Sequence, residues 1–228
     1  MYRASPMSVP RRTDAAKRVI DALGATAGLI VLSPVIAAVA VVVRWRLGAP
    51  VLHRQERLGI DDAPFVLVKF RTMTDTRDAR GALLPDDERL TPMGSFLRST
   101  SLDELPELLH VLRGTMSLVG PRPLPVAYRE RFTRVEARRS EVRPGLTGWA
   151  QVNGRNSTSW EERLALDVWY VDHRSLTVDL KILLRTVAVV IGRRGVAAEG
   201  HATMSEFRPP CAGVDAVPAS STGDNAPR

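Results

Sequence analysis

Cysteine is nearly absent: the 228-residue chain carries one, Cys211, in a polar C-terminal stretch. That excludes a disulfide framework and a cysteine-based zinc site, and is compatible with a reducing compartment. Aromatic residues are few, at 5%, and the chain has no internal repeat, no aromatic-bearing RNP strand, no zinc-ligand spacing and no clear recognition helix, so no nucleic-acid-binding module is present. Negative charge is also in short supply. Lys and Arg number 32 against 25 Asp and Glu, a net charge of +7, so the surface favours anions. Composition is otherwise globular, with 44% hydrophobic and 25% charged residues. It excludes a chain disordered throughout and a multi-span membrane protein, and the length suits one cored domain with appendages.

The positive charge brackets an apolar run. In the first 18 residues Arg3, Arg11, Arg12, Lys17 and Arg18 face Asp14 alone, and after the run Arg44, Arg46, Arg54 and Arg57 face Glu56. From Ala22 to Val43 no side chain is charged, and at about 1.5 Å per residue the run can cross a hydrocarbon core of about 30 Å. Three readings stand open: a spanning helix, a re-entrant hairpin and a buried soluble helix. A spanning helix keeps its basic excess on one side, whereas here both flanks are basic. Ser33-Pro34 lies at the midpoint, where proline removes a backbone donor and Ser33 can serve the carbonyl set free. A helix bending there and leaving on the side it entered puts both basic flanks in the cytoplasm.

The remainder has the texture of a folded domain to about residue 196. PFVLVKF at 64–70 predicts a strand, and 74–95 reads as loop, its acidic run Asp86-Asp87-Glu88 a solvated feature. Leu105, Leu108, Leu109 and Leu112 predict a helix over 103–113 with Gly114 past its end. Residues 119–125 must be extended or turning because of three prolines. Helices are expected over 126–140 and from Ser159 to Tyr170, with loop and short strand over 141–156. Asp179–Ile191 is an apolar helix too short to span, suited to the membrane interface or to packing on the domain. Residues 197–228, rich in Pro, Ala, Ser, Gly and Asp, read as a disordered tail.

Asp103-Glu104, at the mouth of a predicted helix, is the most suggestive chemical feature. One reading is structural: Ser101-x-x-Glu104 has the capping-box pattern, and acidic residues suit a first turn. Pro106 fits better if the helix starts near Asp103. The other reading is catalytic. A carboxylate can attack phosphorus to give an acyl phosphate, with a divalent metal neutralising a nucleotide diphosphate. Cations for such a substrate are Lys69, Arg71, Arg98, Arg122 and Arg155, and Arg122 is stiffened between Pro121 and Pro123.

These residues stand within ordered blocks: KRVIDALGATAGLIVLSPVI, RQERLG, KFRTM, LRSTSLDELPELLHVLRGTMSLVGPRPL, RPGLTGWAQVNGRN, SWEERLALDVWYVD and DLKILLRT. In these, from about Ala16 to Val196, the chain resembles the bacterial sugar transferase family, and in particular its small monotopic polyprenyl-phosphate phosphoglycosyltransferases. The resemblance implies transfer of a sugar 1-phosphate from a UDP-sugar, often N-acetylated, to undecaprenyl phosphate with release of UMP, initiating glycoconjugate assembly. It implies Asp103 as the nucleophile and Mg²⁺ contact, Glu104 as its dyad partner, Lys69, Arg98, Arg122, Arg155 and Asp167 at other functional positions, and Ser33-Pro34 as the break of a re-entrant helix. Thr115 stands where the family has an acid. His173 and His110 stand where it has Asn, and Glu107 where it has Gln; these read as changes outside the dyad.

The expectation is therefore a helix-rich α+β domain with a small β-sheet, a re-entrant membrane helix and interfacial amphipathic helices. Its parts would be a basic segment (1–15), the membrane helix (16–46), a cytosolic catalytic domain (47–196) and the tail (197–228). It would face the cytoplasm on the bacterial inner membrane, supply its product to downstream glycosyltransferases and bind no nucleic acid. The rival is an inactive, basic, membrane-tethered scaffold or anionic-lipid-binding protein, in which Asp103 and Glu104 are dispensable and affinity falls steeply with salt.

Overall fold

The apolar run forms one helix, α1 (Arg12–Leu47), that carries Pro34 inside it. Proline cannot donate to the carbonyl of Ile30, and the Ser33 hydroxyl donates to that carbonyl at 2.8 Å, so the polar cost of the proline is met locally. The computed structural model describes residues 12–154, 159–192 and 207. One stripe of α1 is buried against the domain, where Ala25 joins Leu67, Leu108, Val111 and Met116, and Val39 and Val43 join Phe70 and Leu97. The rest is bare: Leu23, Ile30, Val31, Val41 and Trp45 are each at least two-thirds exposed. Among the described residues this is the one helix long and apolar enough to cross a membrane.

After α1, strands β1 (Leu52–Leu58) and β2 (Pro64–Phe70) pair antiparallel, Leu52 opposite Phe70 and Leu58 opposite Pro64. The strand predicted at 64–70 is β2. Its partner LHRQERL is mostly exposed and was not evident from apolar alternation. The stretch read as loop holds two helices, α2 (Asp86–Arg89) and the start of α3 (Pro92–Ser99). Thr91 accepts from the Gly94 N–H and Pro92 occupies the first turn, where no donor is needed.

The helix expected over 103–113 is two pieces, a 3₁₀ segment (Leu102–Glu107) carrying Pro106, then α4 (Leu108–Arg113), closed as expected by Gly114 at φ 86°. The capping-box reading of Ser101 fails: Ser101 is left-handed at φ 56° and makes no side-chain cap bond.

Strands β3 (Ser117–Val119) and β4 (Gly145–Thr147) form a second, parallel pair. Gly120 and Gly145 let the two backbones touch, since a Cβ on Gly145 would lie 2.0 Å from the Gly120 nitrogen. The single helix expected over 126–140 is instead a 3₁₀ turn (Val126–Arg131), α5 (Arg134–Ala137) and a second 3₁₀ turn (Arg138–Glu141). The chain is extended at Phe132, and Thr133 with Glu136 forms a capping box that restarts the helix. Residues 141–156 carry β4 as the expected short strand and, unexpectedly, the helical turn α6 (Trp149–Asn153). Helix α7 (Trp160–His173) starts at a Ser159–Glu162 capping box, and α8 (Leu176–Gly192) buries Ile182 against Tyr170 and Val119 while exposing Leu180, Leu184 and Val187.

Phe207 falls in the stretch read as a disordered tail, and it is 1% exposed. It sits among Leu124, Leu164, Tyr128, Phe132 and Trp160, so at that position the reading was incorrect: a large aromatic ring had a pocket to fill.

Candidate functional site

The site forms where the 3₁₀ segment Leu102–Glu107 packs on β2 and α3. Asp103 is 4% exposed. Burial pushes its carboxyl up to about 6, the neighbouring Glu104 adds to the rise, and Lys69, Arg122 and Arg98 oppose it. Lys69 comes from β2, Arg98 from α3 and Arg122 from the Pro121-Arg122-Pro123 loop, so three separate elements supply the cations around one carboxyl. Burial lowers Lys69 and Arg98, and Asp103 partly restores both. Arg98 Nε donates to Thr72 Oγ1 at 3.1 Å.

Glu104 accepts from Arg122 Nη2 at 2.5 Å, and this carboxylate holds the guanidinium above its ordinary value. The loop that presents Arg122 is tied down at three carbonyls. Arg139 Nη2 donates to Arg122 O at 2.6 Å, Arg57 Nη1 to Pro123 O at 3.3 Å, and the Leu58 N–H to Leu124 O at 2.9 Å. Arg139 is fixed in turn by Asp167, whose Oδ2 accepts from Nε at 3.1 Å and Nη2 at 2.8 Å. Both side chains are at least nine-tenths buried, and burial raises the Asp167 carboxyl while Arg139 opposes the rise.

Of the residues singled out in the sequence, Asp103, Glu104, Lys69, Arg98 and Arg122 therefore come together. Asp167 acts through Arg139 on the backbone of Arg122. Arg71 does not join the cluster: its guanidinium donates to Leu47 O, to Ala49 O at 3.3 Å and to Asp75 at 3.3 Å, which ties the end of α1 to β2. Arg155 lies outside the described residues. Ser33 and Pro34 are in α1, where Ser33 serves Ile30.

Three residues of the site were not assigned to it from the sequence. Glu107 is 4% exposed, and burial together with Glu104 pushes it up to about 8 against Arg122 and Lys69. Its spacing of three and four from Glu104 and Asp103 on a helix was the available signal. Arg57, brought to about 10 by burial and by Arg122, faces Glu107 and Glu104. Arg139 stands beside Arg134 and Arg138 in the sequence, where no spacing signal marks it out. The departures Thr115 and His110 meet each other, Thr115 Oγ1 lying 3.3 Å from His110 Nδ1 and donating to His110 O at 3.1 Å. His173 stacks on Trp169 with ring centroids 4.4 Å apart.

Among the described residues no group of three or more His, Cys, Asp or Glu is arranged to enclose a metal ion. Adjacent carboxylates such as Asp103 and Glu104 do suit Mg²⁺, which uses one or two carboxylates, water and substrate phosphate instead of an all-protein cage.

A buried Asp103 beside the half-buried Glu104, ringed by cations from three elements, is an arrangement suited to phosphate chemistry. EpsL of Bacillus subtilis (strain 168), an uncharacterized sugar transferase, is 51% identical over 191 residues, covering 84% of this chain and 95% of that one. The UDP-glucose:undecaprenyl-phosphate glucose-1-phosphate transferase of Caulobacter vibrioides is 44% identical over 185 residues, covering 76% of this chain and 69% of that one. The exopolysaccharide production protein ExoY of Rhizobium meliloti is 35% identical over 216 residues, covering 84% and 96%. The profile of the bacterial sugar transferases matches residues 12–193, from α1 through α8, so the dyad, its ring of cations and the apolar helix all fall within the match, and the chain belongs to that family.

Proposed function

We propose that this protein moves a sugar 1-phosphate from a UDP-sugar to undecaprenyl phosphate, initiating the assembly of a glycoconjugate at the cytoplasmic face of the bacterial inner membrane. The observation that carries the reading is Asp103: a buried carboxyl among Lys69, Arg98 and Arg122, beside a second carboxylate paired to Arg122. An Asp103 oxygen attacks the sugar-bearing phosphorus, the bond to the bridging oxygen breaks, and UMP departs with that electron pair. The terminal phosphate oxygen of undecaprenyl phosphate then attacks the same phosphorus. The acyl-phosphate bond breaks, Asp103 is restored, and the sugar diphosphate lipid is released.

Arg122, Lys69 and Arg98 hold the diphosphate and stabilise charge on the transferring group. Glu104 gives up Arg122 to the incoming anion and takes a proton from the acceptor phosphate when that group arrives protonated. Mg²⁺, contacted by Asp103, would neutralise charge on the diphosphate.

The re-entrant placement of α1 belongs to the same reading. Its start is tied to the domain by Arg174–Asp14 at 3.1 Å and Lys17–Asp179 at 2.7 Å, and its end by Arg71 on Leu47 O. A helix spanning about 30 Å of hydrocarbon carries one end away from a domain lying on the other side. Contact at both ends supports a helix that dips into one leaflet beneath the domain, with the exposed apolar face of α8 alongside.

The test uses nanodisc-held protein, undecaprenyl phosphate, Mg²⁺ and a panel of UDP-sugars. UMP release that requires Asp103 and Mg²⁺ is expected, along with one preferred sugar. UMP release by Asp103→Asn at the wild-type rate would remove the nucleophile. No release from any UDP-sugar would favour the scaffold reading. Cysteines placed at positions 12 and 47 in a Cys211→Ser background are both expected to react with an impermeant maleimide from the cytoplasmic side only.

A further inference from the structure

Phe207 is held in three ways by one small region. Its ring lies 5.4 Å from Trp160, 5.6 Å from Tyr128 and 5.8 Å from Phe132 between centroids. Its N–H donates to Tyr128 Oη at 3.1 Å, and its carbonyl accepts from Arg131 Nη1 at 2.5 Å. A residue with a buried ring and both main-chain groups satisfied by side chains of one 3₁₀ turn is an anchored residue.

Two paths lead from this pocket to Arg122. Leu124, two residues beyond Arg122 in the proline loop, belongs to the same apolar cluster as Phe207. Phe132, which packs on Phe207, lies under the guanidinium of Arg139 at 5.8 Å, and Arg139 is the donor to Arg122 O. The loop is thus clamped from its polar side by Arg57 and Arg139, and it is backed from its apolar side by Phe207.

We propose that Phe207 is a positioning residue, whose ring supports Leu124 and Phe132 from behind and so sets where Arg122 stands opposite Glu104. This rests on the reading that Arg122 holds the donor's diphosphate. Removing the ring leaves a void behind Leu124, into which the loop can relax. A shift of about an ångström in a phosphate-binding guanidinium lengthens its charge-assisted hydrogen bonds to the donor's diphosphate and so weakens binding of the donor.

The test is Phe207→Ala in the full chain, in nanodiscs, with Phe207→Leu as the conservative variant. The KM for the UDP-sugar is expected to rise about tenfold in Phe207→Ala, with kcat changed much less, and Phe207→Leu to recover most of it. Amide exchange at Leu58, whose N–H donates to Leu124 O, should quicken in Phe207→Ala. In combination with Arg122→Ala the further loss should be small, because both act through one side chain. A wild-type KM and wild-type exchange in Phe207→Ala overturn the proposal, as does full additivity with Arg122→Ala. Should Phe207→Ala not fold, Phe207→Leu decides by the same exchange and KM comparison. If the wild type itself releases no UMP, the reading of the site fails instead, and exchange at Leu58 still decides whether Phe207 holds the loop.

Discussion

Asp167→Ala breaks the buried pair behind the proline loop. The side chains of Arg139 and Asp167 are 3% and 7% exposed, and one carboxylate oxygen takes two N–H bonds at 3.1 and 2.8 Å. Alanine leaves a buried guanidinium with Arg122 O as its remaining hydrogen-bond acceptor. Truncating one partner of such a pair costs about 3–5 kcal/mol, and about 2–4 °C per kcal/mol in a domain of this size gives a fall of about 6–20 °C in Tm. UMP release should fall too, because the tether on Arg122 goes with the pair. The double variant Asp167→Leu/Arg139→Met separates the two effects. An apolar pair of similar volume is commonly as stable as the ions it replaces, so Tm should return to within a few degrees of wild type while UMP release stays low. The measurements are thermal unfolding followed by tryptophan fluorescence, and UMP release at saturating acceptor. If Asp167→Ala lies within about 1 kcal/mol of wild type, the pair is not the buried tether described, given the usual cost of an uncompensated interior charge. If the double variant regains both stability and turnover, Arg139 does not position Arg122.

Two other outcomes follow from the geometry. Asp103→Asn should reduce UMP release about a thousandfold or more, and in the wild type the rate should climb as pH passes through about 6, where the nucleophile ionises; a rate flat between pH 5 and 7 refutes the second part. Arg71→Ala should lower stability by about 1–3 kcal/mol through loss of donors to Leu47 O and Ala49 O, yet leave the KM for the UDP-sugar within about twofold; a large rise in KM would return Arg71 to the phosphate-binding set.

The sequence was legible where one physical signal dominated. The uncharged run gave α1, the apolar stretch at 64–70 gave β2, and a glycine past the last leucine gave the end of α4. It was opaque where residues answer to partners far along the chain. LHRQERL became a strand because β2 needs a partner, although its own side chains are largely exposed. Arg71 and Arg122 both read as cations for the substrate, and only tertiary contacts send one to the end of α1 and the other to Glu104. Ser101 shows the converse: a correct capping pattern is overridden by Pro106, which favours a 3₁₀ start, and by a left-handed turn. Phe207 was hidden by composition, because an average over Pro, Ala, Ser and Gly says nothing of the one aromatic ring among them.

Glu107 bears on how the site matches its substrate. Lys69, Arg98, Arg122 and Arg57 bring four positive charges, while Asp103, Glu104 and Glu107 bring three carboxyls. Glu107 stays protonated to about pH 8, since burial and Glu104 outweigh Arg122 and Lys69. At neutral pH the side chains of the site therefore carry four cations against two carboxylates, an excess of two positive charges that draws the donor's diphosphate, to which Mg²⁺ would add when bound. Ionising Glu107 halves that excess, so the KM for the UDP-sugar should rise at least about threefold between pH 7 and pH 9, and Glu107→Gln should abolish the rise. The stability sign agrees. A carboxyl raised from 4.5 to about 8 in the folded state binds its proton more tightly there than in the unfolded chain. Its contribution favours the fold at low pH and is lost as pH climbs through that window, and Glu107→Gln should flatten the slope of Tm against pH. A KM that rises equally in wild type and Glu107→Gln would assign the alkaline loss to another group and leave the charge match without support.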